Sequence, residues 1–260
     1  MKSVTRQFRS KPNFYLGLVG LSAVLLTWEI VSESGVVNPI FISSPSKILP
    51  EALEMIDKGN IYPHLVVSLE EFFLGLILAI FFGIIFGWLI GQYKKLDAFF
   101  SPLIYSLYST PNIALLPLII IWVGLGLWSK VLIVFLGAFF PILINTISGV
   151  KNLDQNFVTL GKSFGATDFD IFRTITLPAS IPYIMAGIRM GISRGMIGMI
   201  VGEFYVSSHG LGYLITFYGA TFQTAKLFSV ILIVILVSVS LTATVSYFEK
   251  RFQTWKPQKD

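Results

Sequence analysis

Cysteine is absent from the 260 residues. A disulfide framework, a thiolate metal site and a cysteine nucleophile are therefore excluded. Histidine occurs only twice, as His64 and His209, far apart in sequence. No metal site and no cofactor is expected. Charge is scarce as well: 13 % of residues are Asp, Glu, Lys or Arg, roughly half the share of an average soluble domain. What is abundant is apolar. The hydrophobic fraction is 54 %, with 23 Phe and 5 Trp, and the mean hydropathy is +0.76. One water-surrounded core of this size cannot hide so much apolar surface. Lipid is the expected solvent, and disordered, collagen-like and nucleic-acid-binding classes are excluded.

A spanning helix needs about 20 mostly apolar residues. Six stretches qualify, at about 14–31, 66–91, 99–122, 130–149, 183–206 and 227–248. The first follows the basic residues Lys2, Arg6, Arg9 and Lys11 and is read as a retained signal anchor. The third contains Pro102, Pro111 and Pro117 and is expected to be kinked or discontinuous. Between the first two, Ile48, Leu49, Leu53 and Ile56 recur at helical spacing, which predicts a short amphipathic surface helix over 46–58. Lysine and arginine sort by side. Segments 1–13, 92–98, 150–182 and 249–260 hold 13 of them, and the opposite segments hold 4. The positive-inside rule then predicts cytoplasmic termini and an even number of spans. The expected division is 1–62 (N-terminus, first span, external segment), 63–248 (core) and 249–260 (cytoplasmic tail).

Glycine has a pattern. Gly75, Ala79, Gly83, Gly87 and Gly91 recur every four residues, as do Gly187, Gly191 and Gly195. Small residues at that spacing let helix backbones approach closely in a membrane. Catalytic motifs are missing. Gly161-Lys162-Ser163 resembles the end of a phosphate loop, but Asn156 stands where its first glycine belongs. The chain shows no nucleotide site of its own. The 150–182 segment is apolar for a loop. Asp154 can cap one short helix, Gly165 can break it, and Thr167 or Asp168 can cap a second carrying Phe169, Phe172 and Ile175. Pro178 should end that second helix, and Pro182 should start the next span. Its aromatic residues need cover, either from the bundle itself or from a groove in a soluble partner.

Gly165-Ala166, Phe172, Ile175, Leu177-Pro178, Pro182 and Gly187 together resemble the cytoplasmic loop signature, the EAA loop, of permease subunits of bacterial ABC importers. Ser109-Thr110-Pro111-Asn112-Ile113-Ala114-Leu115-Leu116-Pro117-Leu118 with Trp122 resembles a motif of the aliphatic sulfonate, taurine and nitrate branch. So do Phe140-Pro141-Ile142 with Asn145, Glu203 followed by Gly210-Leu211-Gly212-Tyr213, and Trp28 with Ser44-Pro45-Ser46. The resemblance runs from about Trp28 to Glu249. The Glu-Ala-Ala that opens the signature is replaced by Thr159-Leu160-Gly161.

The resemblance implies an all-α membrane protein with the six-span, MetI-like fold of type I importer permeases, including a kinked third helix and a cytoplasmic coupling helix. It implies a non-enzymatic subunit in the bacterial cytoplasmic (inner) membrane. Its partners would be ABC ATPase subunits, a periplasmic or lipoprotein solute-binding protein, a second permease copy and the bilayer, with no nucleic acid. Gly165, Ala166, Thr167, Asp168, Phe169, Phe172, Leu177 and Pro178 would form the ATPase-coupling surface. The substrate class it implies is an anion such as a sulfonate, taurine or nitrate; a thiamine-precursor pyrimidine or a flavin is the alternative. Charges within spans are costly, and Arg189, Arg194 and Glu203 are the candidates for the translocation pathway. Arg189 and Glu203 stand fourteen positions apart, ~21 Å along a helix, so they cannot pair within it. Glu29 and Glu203 are expected near the outer surface. A stand-alone secondary transporter would need ion-coupling carboxylates at mid-membrane, and an intramembrane enzyme a nucleophile–base pair or metal ligands; no convincing set of either stands out.

Overall fold

The computed structural model describes residues 11–253. Lys2, Arg6, Arg9 and the tail beyond Gln253 lie outside the described residues. Within them every regular element is helical: α1 (Lys11–Glu33), α2 (Pro45–Asp57), α3 (Tyr62–Gln92), α4 (Lys94–Ser109), α5 (Leu116–Val123), α6 (Leu127–Lys151), α7 (Gln155–Ser163), α8 (Asp168–Ile171), α9 (Leu177–Val206), α10 (Leu211–Ala220) and α11 (Thr224–Gln253). Among the described residues five helices are long and apolar enough to cross a membrane, and the bent pair Lys94–Ser109 with Asn112–Val123 makes a sixth when counted as one broken span. The chain divides into two compact units, Met1–Tyr62 with Leu214–Ile233, and Pro63–Tyr213 with Val234–Asp260.

In the first unit, α1 exposes apolar side chains all round, as a helix bathed in lipid must. Trp28 packs on Phe228 with ring centroids 5.7 Å apart. Glu29 accepts from the Ser46 amide at 3.0 Å and from Ser46 Oγ at 2.6 Å. It thereby caps α2 from outside, where Ser44 makes no side-chain cap. The surface helix is present, but its seam differs from the expected one. Ile48, Ala52 and Met55 are buried, whereas Leu49, Leu53 and Ile56 face outward. Small Ala52 allows a close approach, and Ser229 Oγ fastens it by donating to the Ile48 carbonyl at 2.9 Å.

The second unit is organised by α6, against which α3 and α9 both pack. A Cβ on Gly75, Gly83, Gly87 or Gly91 of α3 would come within 2.6–2.8 Å of Val134, Ile142, Thr146 and Val150 respectively. The four-residue repeat on one helix meets a four-residue repeat on the other. On an adjoining face of α6, Gly187 and Gly191 of α9 press on the Pro141 and Ala138 carbonyls at Cβ distances of 3.1 and 3.2 Å. Phe72, Leu76, Val134, Ala138, Ile142, Ile192, Met196 and Met199 form the core between these helices. Such contact is the main attraction between helices when lipid tails are as apolar as leucine. Gly83→Leu is expected to overpack the α3–α6 seam and cost roughly 1–3 kcal/mol or more. A thermal denaturation series in detergent, with Phe81→Leu on the exposed face as control, measures it.

The third span is broken as its prolines imply. α4 ends at Ser109, Thr110 is extended, a tight turn covers Asn112–Leu115, and the two arms meet at 88°. Thr110 precedes Pro111, which disfavours helical backbone at that position. Pro117 falls in the first turn of α5, where its missing N–H costs nothing.

Candidate functional site

The 150–182 segment forms a knuckle. Asp154 caps α7 by accepting from the Asn156 amide at 2.9 Å. Gly165 then takes a positive φ of 78°, a turn that suits glycine. Thr167 caps α8 in a reciprocal box, since its amide donates to Asp170 Oδ2 at 3.0 Å and the Asp170 amide donates back to Thr167 Oγ1 at 3.2 Å. Pro178 was expected to end this helix. Instead a wide turn over Phe172–Thr176 carries the chain into α9 without a break. Pro178 has no N–H to give, and the widened turn accommodates the loss. The span therefore begins earlier than Pro182.

The knuckle is anchored on one side and bare on the other. Ile171 is buried, and Ile175 and Ile171 sit over Gly161. Phe172 packs on Trp88 of α3, ring centroids 4.3 Å apart. Asp168 accepts from the Tyr93 hydroxyl at 3.3 Å and lies 3.7 Å from Lys162. By contrast Phe164 is 82 % exposed and Phe169 63 % exposed, with Phe157 and Leu160 also exposed nearby. Of the predicted coupling residues, Gly165, Thr167, Asp168, Phe169 and Pro178 are exposed, whereas Ala166, Phe172 and Leu177 are half-buried.

Arg194 stands elsewhere, beside the break in the third span. The backbone at Arg194 is pressed against Gly137 of α6, where a Cβ would lie 3.0 Å from the Arg194 carbonyl oxygen. Its guanidinium lies over the Tyr108 ring, 5.4 Å from the centroid. Both line a cavity of about 410 Å³ with Ser109, Thr110, Asn112 and Ile197. Asn112 fastens the turn to α6 by donating to the Leu136 carbonyl at 3.3 Å. The motif around Pro111 and the arginine are thus brought together.

Arg189 and Glu203 are not part of that cavity. Arg189 pairs with Glu249 of α11 at 2.8 Å. Glu203, expected near the outer surface, stands in the last turn of α9. It is 1 % exposed, and its carboxylate accepts from Ser68 Oγ at 2.5 Å and from the Gly212 amide at 2.5 Å. Sequence reasoning missed two further features. Lys130 of α6 forms a buried ion pair with Glu71 of α3. The two histidines also come together, ring centroids 5.7 Å apart, with His64 Nδ1 accepting from the Gly210 amide at 3.1 Å. Among the described residues no group of three or more potential metal ligands exists.

The chain is thus a helical bundle with helices long and apolar enough to cross a membrane, a broken third span, a cavity beside the break and a bare apolar knuckle. The family profile of the binding-protein-dependent transport system inner membrane component matches residues 71–254, and the chain belongs to this family. It is an ABC importer permease of type I. The chain is 29 % identical over 248 residues to a putative aliphatic sulfonates transport permease protein of Bacillus subtilis, covering 95 % of this chain and 90 % of that one. It is 28 % identical to the taurine transport system permease protein of Escherichia coli (91 % and 88 % covered). It is also 28 % identical to the formylaminopyrimidine transport permease protein of Halalkalibacterium halodurans (91 % and 94 %). The fold is similar to that of the inward-facing MetNI methionine ABC transporter, with a TM-score of 0.65, 17 % identity, and 74 % of this chain and 95 % of that one covered.

Proposed function

We propose that this permease imports a small organic or inorganic anion of the sulfonate, taurine or nitrate kind. Arg194 provides a fixed positive charge on the pathway. The single observation that carries the anionic reading is its guanidinium at the cavity beside the helix break. The cavity's other polar side chains are Ser109 and Thr110, whose hydroxyls donate to the Tyr105 and Ser106 carbonyls, and Asn112; no carboxylate lines it to oppose an anion. The likeness to sulfonate and taurine permeases supports the same reading. A second reading, a flat thiamine-precursor pyrimidine or a flavin, draws on the formylaminopyrimidine relative and on the Tyr108 ring, a stacking surface in the cavity.

The division of labour follows from the knuckle. Phe164 and Phe169 offer an apolar face to a separate ATPase subunit, which binds and hydrolyses ATP. Closure of two such subunits draws two knuckles together in a permease dimer and rocks the spans between inward- and outward-facing states. A solute-binding protein delivers the substrate on the far side. The distribution of lysine and arginine supports placing the knuckle and both termini in the cytoplasm, in a cytoplasmic (inner) membrane. Residues 63–248 form the transport core in this reading.

The test is reconstitution of the permease in vesicles with the ATPase and binding protein encoded beside it. ATP-dependent uptake of radiolabelled taurine, an alkanesulfonate or nitrate is expected, with hydrolysis stimulated by the loaded binding protein. Stimulation only by a pyrimidine- or flavin-loaded binding protein would replace the anionic reading with the second one. No stimulation by any loaded binding protein would defeat both.

A further inference from the structure

The motif Glu203 followed by Gly210-Leu211-Gly212 builds a closed polar cluster at the α9–α10 corner. Gly210 has a φ of 120°, and a Cβ there would run into the Glu203 carboxyl group. A Cβ on Gly212 would stand 2.6 Å from the Ile200 carbonyl oxygen and 2.8 Å from Glu203 Cβ. Only glycine at both positions lets the turn close over Glu203. Once closed, the Gly212 amide donates to Glu203 Oε2, Ser68 Oγ donates to Oε1, and the Leu211 amide donates to Ser68 Oγ at 2.8 Å. Lys130 Nζ reaches Ser207 Oγ at 3.2 Å and pairs with Glu71 Oε1.

The charges inside this cluster do not balance. Glu71 and Glu203 are each 1 % exposed, and Lys130 is 6 % exposed. Two acids thus share one cation, and that cation is committed to Glu71. Glu203 takes its hydrogen bonds from a hydroxyl and an amide. Glu71 keeps one buried oxygen, Oε2, without a hydrogen-bond partner, and it stands three residues beyond Ser68 on α3, on the helix face that meets Glu203 through the Ser68 hydroxyl. An uncompensated charge away from water is costly. Two facing carboxyl groups relieve it by sharing a proton.

We propose that Glu71 and Glu203 together bind one proton, and that this proton fastens the α9–α10 corner to α3 and α6. It supplies the donor that Glu71 Oε2 lacks and brings the cluster with Lys130 to neutrality. The other ionisable groups around it are Glu70 and His64 on α3, His209 in the corner loop and Tyr213 on α10. Lys130 is the cation from α6, and Arg194 on α9 stands nine residues away at the cavity. If the corner opens, both acids meet water and ionise. The fastening is therefore present where the proton is held and is lost as pH rises.

Infrared spectroscopy of the intact permease in lipid nanodiscs tests this. At neutral pH the spectrum is expected to contain the carbonyl band of an un-ionised carboxylic acid, equal to a single carboxyl group per chain. The band should shift in D₂O and vanish in Glu203→Gln and in Glu71→Gln. Glu203→Gln keeps a neutral group that can accept from Ser68 and donate to Glu71, but its single carbonyl oxygen cannot also keep the bond from the Gly212 amide. It should unfold somewhat below the wild-type temperature, by the loss of that one bond, and lose the wild type's fall in stability from neutral to alkaline pH. Glu203→Ala removes the shared group and both of its hydrogen bonds and should unfold well below wild type and Glu203→Gln alike. Absence of the band in wild type, its survival in both glutamine variants, or an unchanged alkaline fall in Glu203→Gln would overturn the proposal.

Discussion

Phe169→Asp is expected to leave the permease folded in the membrane and to abolish ATP-driven uptake. Phe169 is 63 % exposed and meets Phe172 with ring centroids 6.3 Å apart, while the inner side of the wide turn is held by Ile171 and by Phe172 on Trp88, whose centroids are 4.3 Å apart. Replacing it therefore removes little from this chain's own stability. If the knuckle seats in a groove of the ATPase, the ring is a central apolar anchor, and truncating such an anchor typically costs at least about 2 kcal/mol of binding. A carboxylate forced into that groove costs more, because it is desolvated without a partner. The ATPase should be lost from a detergent pull-down by a factor of about a hundred or more, and uptake should fall with it. Phe164→Asp should act in the same direction. Phe172→Asp is the less informative substitution, since it breaks the contact with Trp88 and damages the knuckle itself. Full recovery of the ATPase by Phe169→Asp would refute the docking assignment.

The choice between Phe169 and Phe172 shows what the sequence could and could not convey. Both are aromatic, three residues apart, on one short helix, and periodicity alone treats them alike. Only the tertiary position of Trp88, more than eighty residues earlier, separates an anchor from an exposed group. Features fixed by local chemistry were legible: the break at Pro111, the caps at Asp154 and Thr167, and the turn at Gly165. The glycine repeats were also legible, because close helix contact needs a missing side chain and leaves a period of four. Features that join distant segments were not. Glu71 with Lys130, Glu203 with Ser68 and His64 with His209 are pairs whose members lie on different helices or loops. The outward turn of Leu49, Leu53 and Ile56 was hidden for another reason. In a membrane protein, apolar side chains face lipid and core alike, so hydropathy marks a helix without marking its inner side.

Arg194→Met is expected to lower uptake of the anionic substrate by about ten- to a hundredfold, the effect of losing one hydrogen bond to a charged group, ~1.5–3 kcal/mol. Methionine keeps the length and apolar stem of the side chain, so the contact with Tyr108 is partly preserved and the bundle should stay intact. Arg194→Lys should fall between the two. It retains the charge but loses the planar fork that can hold two oxygens of a sulfonate or nitrate at once. Arg189→Met supplies the contrast. Its guanidinium is paired with Glu249 at 2.8 Å and takes no part in the cavity. Its loss should weaken the α9–α11 contact and lower the unfolding temperature without changing the preference among substrates. The decisive measurement is uptake of an anion and of a neutral solute of similar size, each offered on a binding protein that carries it. A drop confined to the anion in Arg194→Met assigns the arginine to recognition. Equal loss of both would make it a structural residue of the helix break, and unchanged anion transport would remove the anionic reading of this cavity.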